Sequence, residues 1–216
     1  MNLTVTVLTG RRPDHLADTL DTLRNHRPGL LVDAYVVALA NGNDLPTRNV
    51  LDRHDDVIDV IDTTDTLLPI GPAISRLADH AWTSDRPFWF HLEDDWATVS
   101  SHDWTAQAAG ILDRHPHVSQ VRARRAGEPV MAKHRITRQR IVWEQRDGWR
   151  HAKTAHLTFN PSLIRTADIP HGWPCTSEID AMRRWVNSGR HAVAQLDPGV
   201  FAHTGDTSLR AAVGRE

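Results

Sequence analysis

Through its first 120 residues the chain alternates strand-like and helix-like segments, which limits it to a mainly parallel sheet wound by βαβ units. Leu3 to Leu8 mixes β-branched and apolar residues as a buried strand does. Thr9-Gly10-Arg11-Arg12 breaks it, and Pro13 opens a helix with Leu16, Leu20 and Leu23 at helical spacing. Ala34 to Ala40 predicts a second strand, stopped by Asn41-Gly42-Asn43. Val57 to Ile61 predicts a third, stopped by Asp62-Thr63-Thr64-Asp65. Gly71-Pro72 begins a helix to about Trp82, and Pro87 to Leu92 is a fourth strand. A helix over Trp104 to Arg114 and a strand over Val118 to Val121 complete this half. Arg122 to Lys153 reads as irregular strands or a hairpin. A strand at Ala155 to Phe159, a helix at Ser177 to Ser188 and a strand at Ala192 to Leu196 follow.

Ligands of such sheets bind at the carboxyl ends of the strands, so the four polar clusters are expected on one edge. The most informative is Glu93-Asp94-Asp95, delivered by the apolar run from Phe88 to Leu92 and followed by Trp96. Three adjacent acids repel unless a cation neutralises them. Carboxylates suit Mg²⁺ or Mn²⁺, which take one or two such ligands together with diphosphate oxygens. The competing reading is a solvated acidic turn. Arg11, Arg12 and Arg76 are candidates to neutralise phosphates, since guanidinium matches phosphate oxygens as a fork. Trp96 either walls a pocket or packs.

In the order of these motifs the chain resembles a GT-A glycosyltransferase of the family 2 kind, over most of its length. The resemblance implies a GT-A-like α/β fold, a mainly parallel sheet flanked by helices, in a single domain. Residues 1–120 would bind the nucleotide sugar and 121–216 the acceptor. Thr9, Gly10 and Arg11 match the first nucleotide-binding loop; Asn41, Asp62 and Asp65 fall where such enzymes contact the nucleoside. Gly71-Pro72-Ala73 with Arg76 resembles the helix before the metal strand. Glu93-Asp94-Asp95 occupies the place of the DXD-type motif, with Asp95 on the metal and Glu93 and Asp94 on the donor side. Having Glu-Asp-Asp rather than Asp-X-Asp leaves open which of Glu93 and Asp94 faces the ribose. His203, ahead of Thr204-Gly205, matches a late histidine that completes the metal's coordination, and Arg210 is a candidate phosphate contact beyond it. Glu178 is the preferred catalytic base of an inverting transfer and Asp180 the alternate; both acids also suit a helix N-terminus.

Charge is unevenly spread. Residues 121–153 hold ten Lys and Arg against three acids, +7, which leaves −9 for the rest of a chain of net charge −2. Trp143 and Trp149 interleave with the cations, a pattern suited to a polyanion such as DNA with hydroxylated bases, as in viral DNA modification; a solvated cationic flap is the alternative. The single Cys175 excludes an internal disulfide and a cysteine zinc site. No run reaches the roughly 18 to 20 apolar residues of a membrane span, and no signal peptide is evident, so a cytoplasmic location is expected. A nucleotidyltransferase shares the layout, but usually carries a glycine- and lysine-rich loop that Thr9-Gly10-Arg11-Arg12 lacks. A non-catalytic nucleotide-sugar or nucleic-acid binding module is the other alternative.

Overall fold

The computed structural model describes residues 2–25, 33–100, 103–123, 133–159, 161–170, 172–173, 175–190 and 192–204. In chain order the strands and helices are β1 (Leu3–Thr9), α1 (Pro13–Asn25), β2 (Ala34–Asn41), α2 (Leu45–Asp52), β3 (Val60–Thr64), α3 (Ile70–Thr83), β4 (Phe88–Glu93), β5 (Trp96–Thr98), α4 (Trp104–Arg114), β6 (Val118–Arg122), β7 (Glu144–Arg146), β8 (Trp149–Ala152), β9 (Ser162–Arg165), α5 (Glu178–Asn187), β10 (Ala192–Leu196) and β11 (Phe201–His203). Among the described residues they form a nine-stranded sheet in the order β3-β2-β1-β4-β9-β6-β10-β8-β7, and β11 pairs with β5 separately. The sheet is mixed. It is parallel through β3-β2-β1-β4 and between β6 and β10, with β9, β8 and β7 antiparallel.

Strand periodicity sorts the side chains onto two faces. Leu3, Val5 and Val7 of β1, with Phe88, Phe90 and Leu92 of β4, meet Leu16, Leu20 and Leu23 of α1 and Ile111 and Leu112 of α4. Leu8, Val37, Leu39 and Trp89 meet Ile74, Leu77 and Ala78 of α3 and Met182 and Trp185 of α5. Threonines on this buried α3 face are satisfied: the Trp89 indole N–H donates to Thr6 Oγ1 at 2.8 Å, and Thr6 Oγ1 lies 3.0 Å from His91 Nδ1.

Two expected strands are displaced. Val57 and Ile58 enter the core from a turn, with their N–H groups bonded to the His54 carbonyl, so the third strand begins only at Val60. That turn follows α2, which the sequence reading missed, capped by Asp44 with a proline in its first turn. Ala155 to Phe159 is buried without a strand ladder. The side-chain amide of Gln120 serves its backbone instead, donating to Thr158 O at 2.7 Å and accepting from Thr158 N–H at 3.3 Å. The strand in this region is β9, antiparallel to both β4 and β6.

Candidate active site

The carboxyl ends of β1 and β4 lie side by side, with Leu8 opposite Glu93. Asp94 turns the chain out of β4, its N–H bonded to Leu8 O at 3.0 Å. Its carboxylate is buried, accepts from the Thr9 hydroxyl at 2.8 Å and from Gly10 N–H at 3.2 Å, and pairs with Arg12. Burial holds the Asp94 carboxyl above the usual range, while Arg12, Thr9 and Gly10 pull it back. Arg12 also reaches Asp95 Oδ2 at 3.0 Å. One guanidinium therefore bridges two of the three acids whose repulsion suggested a metal, offsetting one of their charges. Asp95 Oδ2 further lies 3.3 Å from His203 Nε2, brought there by the pairing of β5 with β11, and Asp95 Oδ1 is buried without a hydrogen-bond partner.

Glu93 is half-buried and faces a cavity of about 380 Å³. Burial pushes its carboxyl up to about 8, reinforced by Asp95, Glu178 and Asp94. Gly10, Arg12 and Asp94 share the cavity with Glu93, and Leu67 to Ile70 form its apolar wall. Asn41 latches that wall: its Nδ2 donates to Leu68 O at 2.9 Å, and its Oδ1 accepts from Leu68 N–H at 2.7 Å and the Thr64 hydroxyl at 3.1 Å.

Several expected donor contacts are committed elsewhere. The Thr9 hydroxyl belongs to Asp94. Arg11, at φ 58°, turns outward to lie over Gly42, where a Cβ would stand 3.0 Å from its Nε, and Arg12 takes the inward place. Asp62 accepts from Arg76 Nε at 2.5 Å and lies 2.9 Å from His80 Nε2. Those bonds, Arg76 first, hold its carboxyl at about 2 against the effect of burial. Neither Asp62 nor Arg76 borders the cavity, and Asp65 is exposed in the bend after β3. Of the two readings of Trp96 the structure has packing: it is 2% exposed in the core, its ring 5.0 Å from that of His203. Asp94 is the anchor of the turn, and Glu93 is the acid left without a hydrogen-bond partner among the described residues.

Helix α5 brings the acceptor-side acids close. Its N-terminus packs on α3 at Gly71, where any side chain would meet Ser177 N at 2.4 Å. Ser177 caps the helix by accepting from Asp180 N–H at 3.1 Å, and Asp180 accepts in return from Thr176 N–H at 3.1 Å and from Arg184 at 3.2 Å. The Thr176 N–H, chiefly, holds the half-buried Asp180 carboxyl below its usual range. Its role in the fold is a cap. Glu178 lies near enough to Glu93 to raise it, and accepts from Arg135 Nη1 at 2.7 Å. Sequence reasoning missed that pair because its members are 43 residues apart.

Among the described residues no group of three or more His, Cys, Asp or Glu side chains is arranged to hold a metal ion. His203 reaches solvent beside the buried Asp95, and the orphaned Asp95 Oδ1 is a hard oxygen without a hydrogen-bond partner. Such a pair fits a cation that takes its other ligands from a diphosphate and water. Arg210 lies outside the described residues.

No protein-family model and no curated protein matches this sequence. Solved structures do. S. aureus TarS 1-349 in complex with UDP-GlcNAc superposes with a TM-score of 0.66 at 14% identity, over 100% of this chain and 62% of that one. TarS 1-349 in complex with UDP gives a TM-score of 0.62 at 14% identity, over 93% of this chain and 60% of that one. A longer S. aureus TarS structure gives 0.62 at 14%, over 95% of this chain and 37% of that one. The fold is of the GT-A type. The chain spans less than two thirds of the length of these structures, and at such identity the likeness is one of fold. Among the described residues no helix is long and apolar enough to cross a membrane.

Proposed function

We propose that the chain is a metal-dependent glycosyltransferase that moves a sugar from a nucleoside diphosphate to a hydroxyl of an anionic acceptor, with inversion. The observation that carries this reading is the cavity at the carboxyl edge of the parallel strands. Gly10 and Arg12 line one part of it and Glu93 another, and Glu178 on α5 is close enough to act on Glu93 electrostatically. Residues 1–120 supply the donor side and 121–216 the acceptor side. Arg12 and Gly10 N–H would face the diphosphate, and Glu93 the ribose or the sugar. Asp95 and His203 would hold Mn²⁺ or Mg²⁺, which supplies positive charge for a diphosphate when bound. Glu178 is the base. The acceptor oxygen bonds to the anomeric carbon as its proton passes to Glu178, and the anomeric bond to the diphosphate breaks, its electron pair leaving on the diphosphate.

Acceptor charge is read from the 122–153 segment. Arg135, Arg146 and Arg150 are paired with Glu178, Glu144 and Asp197. Lys133, Arg138 and Arg140 are exposed and have no acidic partner among the described residues. Trp143 packs with Arg122 over its ring, and Trp149 packs on the main core, which favours scaffolding over base stacking. A phosphate-bearing acceptor engaged at a few points fits this better than a long duplex footprint. DNA with hydroxylated bases is the polymeric form of such an acceptor, and its binding would weaken by about 0.9 log units per phosphate contact for each tenfold rise in salt.

The test is a screen of nucleoside-diphosphate sugars with and without Mn²⁺, read by thermal unfolding and by slow hydrolysis. A true donor at a hundred times its dissociation constant adds about 2.7 kcal/mol of stability, and hydrolysis releases the nucleoside diphosphate. Released pyrophosphate would instead identify a nucleotidyltransferase. Binding without turnover would leave a binding module, and no stabilisation by any donor would sink the reading.

A further inference from the structure

Arg135 projects from a turn whose backbone is fixed. His134 N–H donates to Gln139 O at 2.7 Å and Arg138 N–H to His134 O at 2.9 Å. The His134 Nδ1 accepts from Ile136 and Thr137 N–H at 3.2 and 3.1 Å. Arg135 N–H donates to Nδ1 of His156, which is 0% exposed and has its ring centre 4.9 Å from that of His134. With Nδ1 accepting, the His156 proton sits on Nε2, a buried donor without a hydrogen-bond partner. Burial first, then Arg122, His134 and Arg135, pushes His156 down to about 3, so the ring stays neutral. The buried Arg122 donates to His156 O.

Arg122 and His156 are buried and steady the turn from beneath, so of the two arginines in this corner Arg135 is the one that reaches solvent, and Glu178 is the acid seated on it. The pair is open: the side chains are 36% and 28% exposed. With its backbone fixed, Arg135 can leave Glu178 by side-chain rotation alone. While Arg135 Nη1 donates to Glu178 Oε2, that oxygen is engaged by the guanidinium rather than by an acceptor hydroxyl.

We propose that this corner is a phosphoryl-binding subsite on the acceptor side: Arg135 exchanges the Glu178 carboxylate for a phosphate of the acceptor, which frees the carboxylate only when such an acceptor is seated. The proposal deepens the glycosyltransferase reading and rests on Glu178 as the base, but the exchange itself is measurable without turnover. Guanidinium accepts phosphate in the same forked geometry it offers a carboxylate. Replacing one anion by the other keeps the local charge balanced.

Isothermal titration at low salt tests it, with methyl phosphate and, separately, a short single-stranded oligonucleotide as probes. The proteins are wild type, Arg135→Ala, Arg135→Lys, Glu178→Gln and the Arg135→Ala/Glu178→Gln double variant. Removing the competing carboxylate in Glu178→Gln should tighten methyl phosphate binding roughly three- to tenfold, the weight of a half-exposed ion pair. Arg135→Ala should lose that binding and Arg135→Lys keep part of it. In the double variant the tightening should vanish, which a general change in electrostatics would not produce. Tightening of methyl phosphate alone assigns a small phosphorylated acceptor, and tightening of both probes a nucleic acid. An unchanged affinity in Glu178→Gln, or a tightening that persists without Arg135, overturns the proposal. Donor-induced thermal shifts on the same variants separate this failure from failure of the glycosyltransferase reading.

Discussion

Arg12→Met removes the charge shared by Asp94 and Asp95 while keeping an apolar stem of similar reach. The side chains of Arg12, Asp94 and Asp95 are 11%, 1% and 9% exposed. Breaking a pair this buried by deleting one partner typically costs about 3–5 kcal/mol, because the remaining charge is stranded. The Thr9 hydroxyl and Gly10 N–H still serve Asp94, and His203 still faces Asp95, so the lower end, about 3 kcal/mol, is expected here. For a chain of this length that lowers the melting temperature by roughly 6–12 °C. The sign with pH follows from Asp94, which burial already holds above its ordinary 3.8. Without Arg12 it rises further. A carboxyl whose folded pKa exceeds its unfolded value favours the folded state when protonated and loses that contribution as pH rises through the folded value. The deficit should therefore be full near neutrality and shrink as pH falls toward the unfolded value. Urea unfolding of both proteins at pH 7.5 and pH 5 measures it. A deficit below about 1 kcal/mol, or one equal at the two pH values, would refute the assignment of Arg12 as the counter-ion of a buried acid pair.

Asp62→Asn should cost about 1 kcal/mol: the drop from 3.8 to about 2 is worth more, but Arg76 is 46% exposed and solvent screens the pair. Because that pKa is lowered, the contribution is complete above about pH 4 and lost as pH falls through about 2, so wild type and variant should converge in urea melts at acid pH. Glu178→Gln should cut turnover about 10²- to 10⁴-fold with donor affinity nearly unchanged, while Asp180→Asn, which touches the helix cap and Arg184, should leave turnover intact; steady-state kinetics on both decides, and the reverse pattern would exchange their roles. Asp95→Ala should abolish Mn²⁺-dependent stabilisation by the donor and His203→Ala should weaken it less, since water can replace an imidazole; unchanged Mn²⁺ dependence in Asp95→Ala would remove the metal from this site.

The sheet's first half was legible because β1, β2 and β4 are buried and carry runs of β-branched and apolar residues ended by polar turns. The eight-residue α2 was hidden behind Asn41-Gly42-Asn43, although Asp44 and Pro46 are the residues that start it. β9 was misplaced because Ala155 to Phe159 is apolar from burial alone, its backbone partnered by the Gln120 side chain. The acidic motif was legible by its chemistry, but its neutraliser was not. Whether Arg11 or Arg12 turns inward depends on the left-handed backbone at Arg11, which neighbouring identical side chains do not reveal. Asp62 and Arg76, both read as ligand contacts, pair with each other across two elements, a fact of tertiary packing.

The same chemistry, a guanidinium on a carboxylate, occurs at the cavity wall with Arg12 and again at Arg135 and Glu178, and burial separates the two pairs. Arg12 is largely buried against Asp94 and Asp95, at the wall of the cavity, where water does not substitute cheaply for a missing charge. Such a pair acts as scaffold, holding the turn from β4 to β5 and with it the Asp95–His203 contact. Arg135 and Glu178 are each about a third exposed, so water compensates both when they part and the pair costs little to open. For the proposed exchange, an interaction that is cheap to open suits a carboxylate to be held until a phosphate is seated and released then. Sequence alone ranks the two arginines alike, since both are cations in polar stretches. The assignment of one to architecture and the other to exchange rests on solvent access, which belongs to the fold.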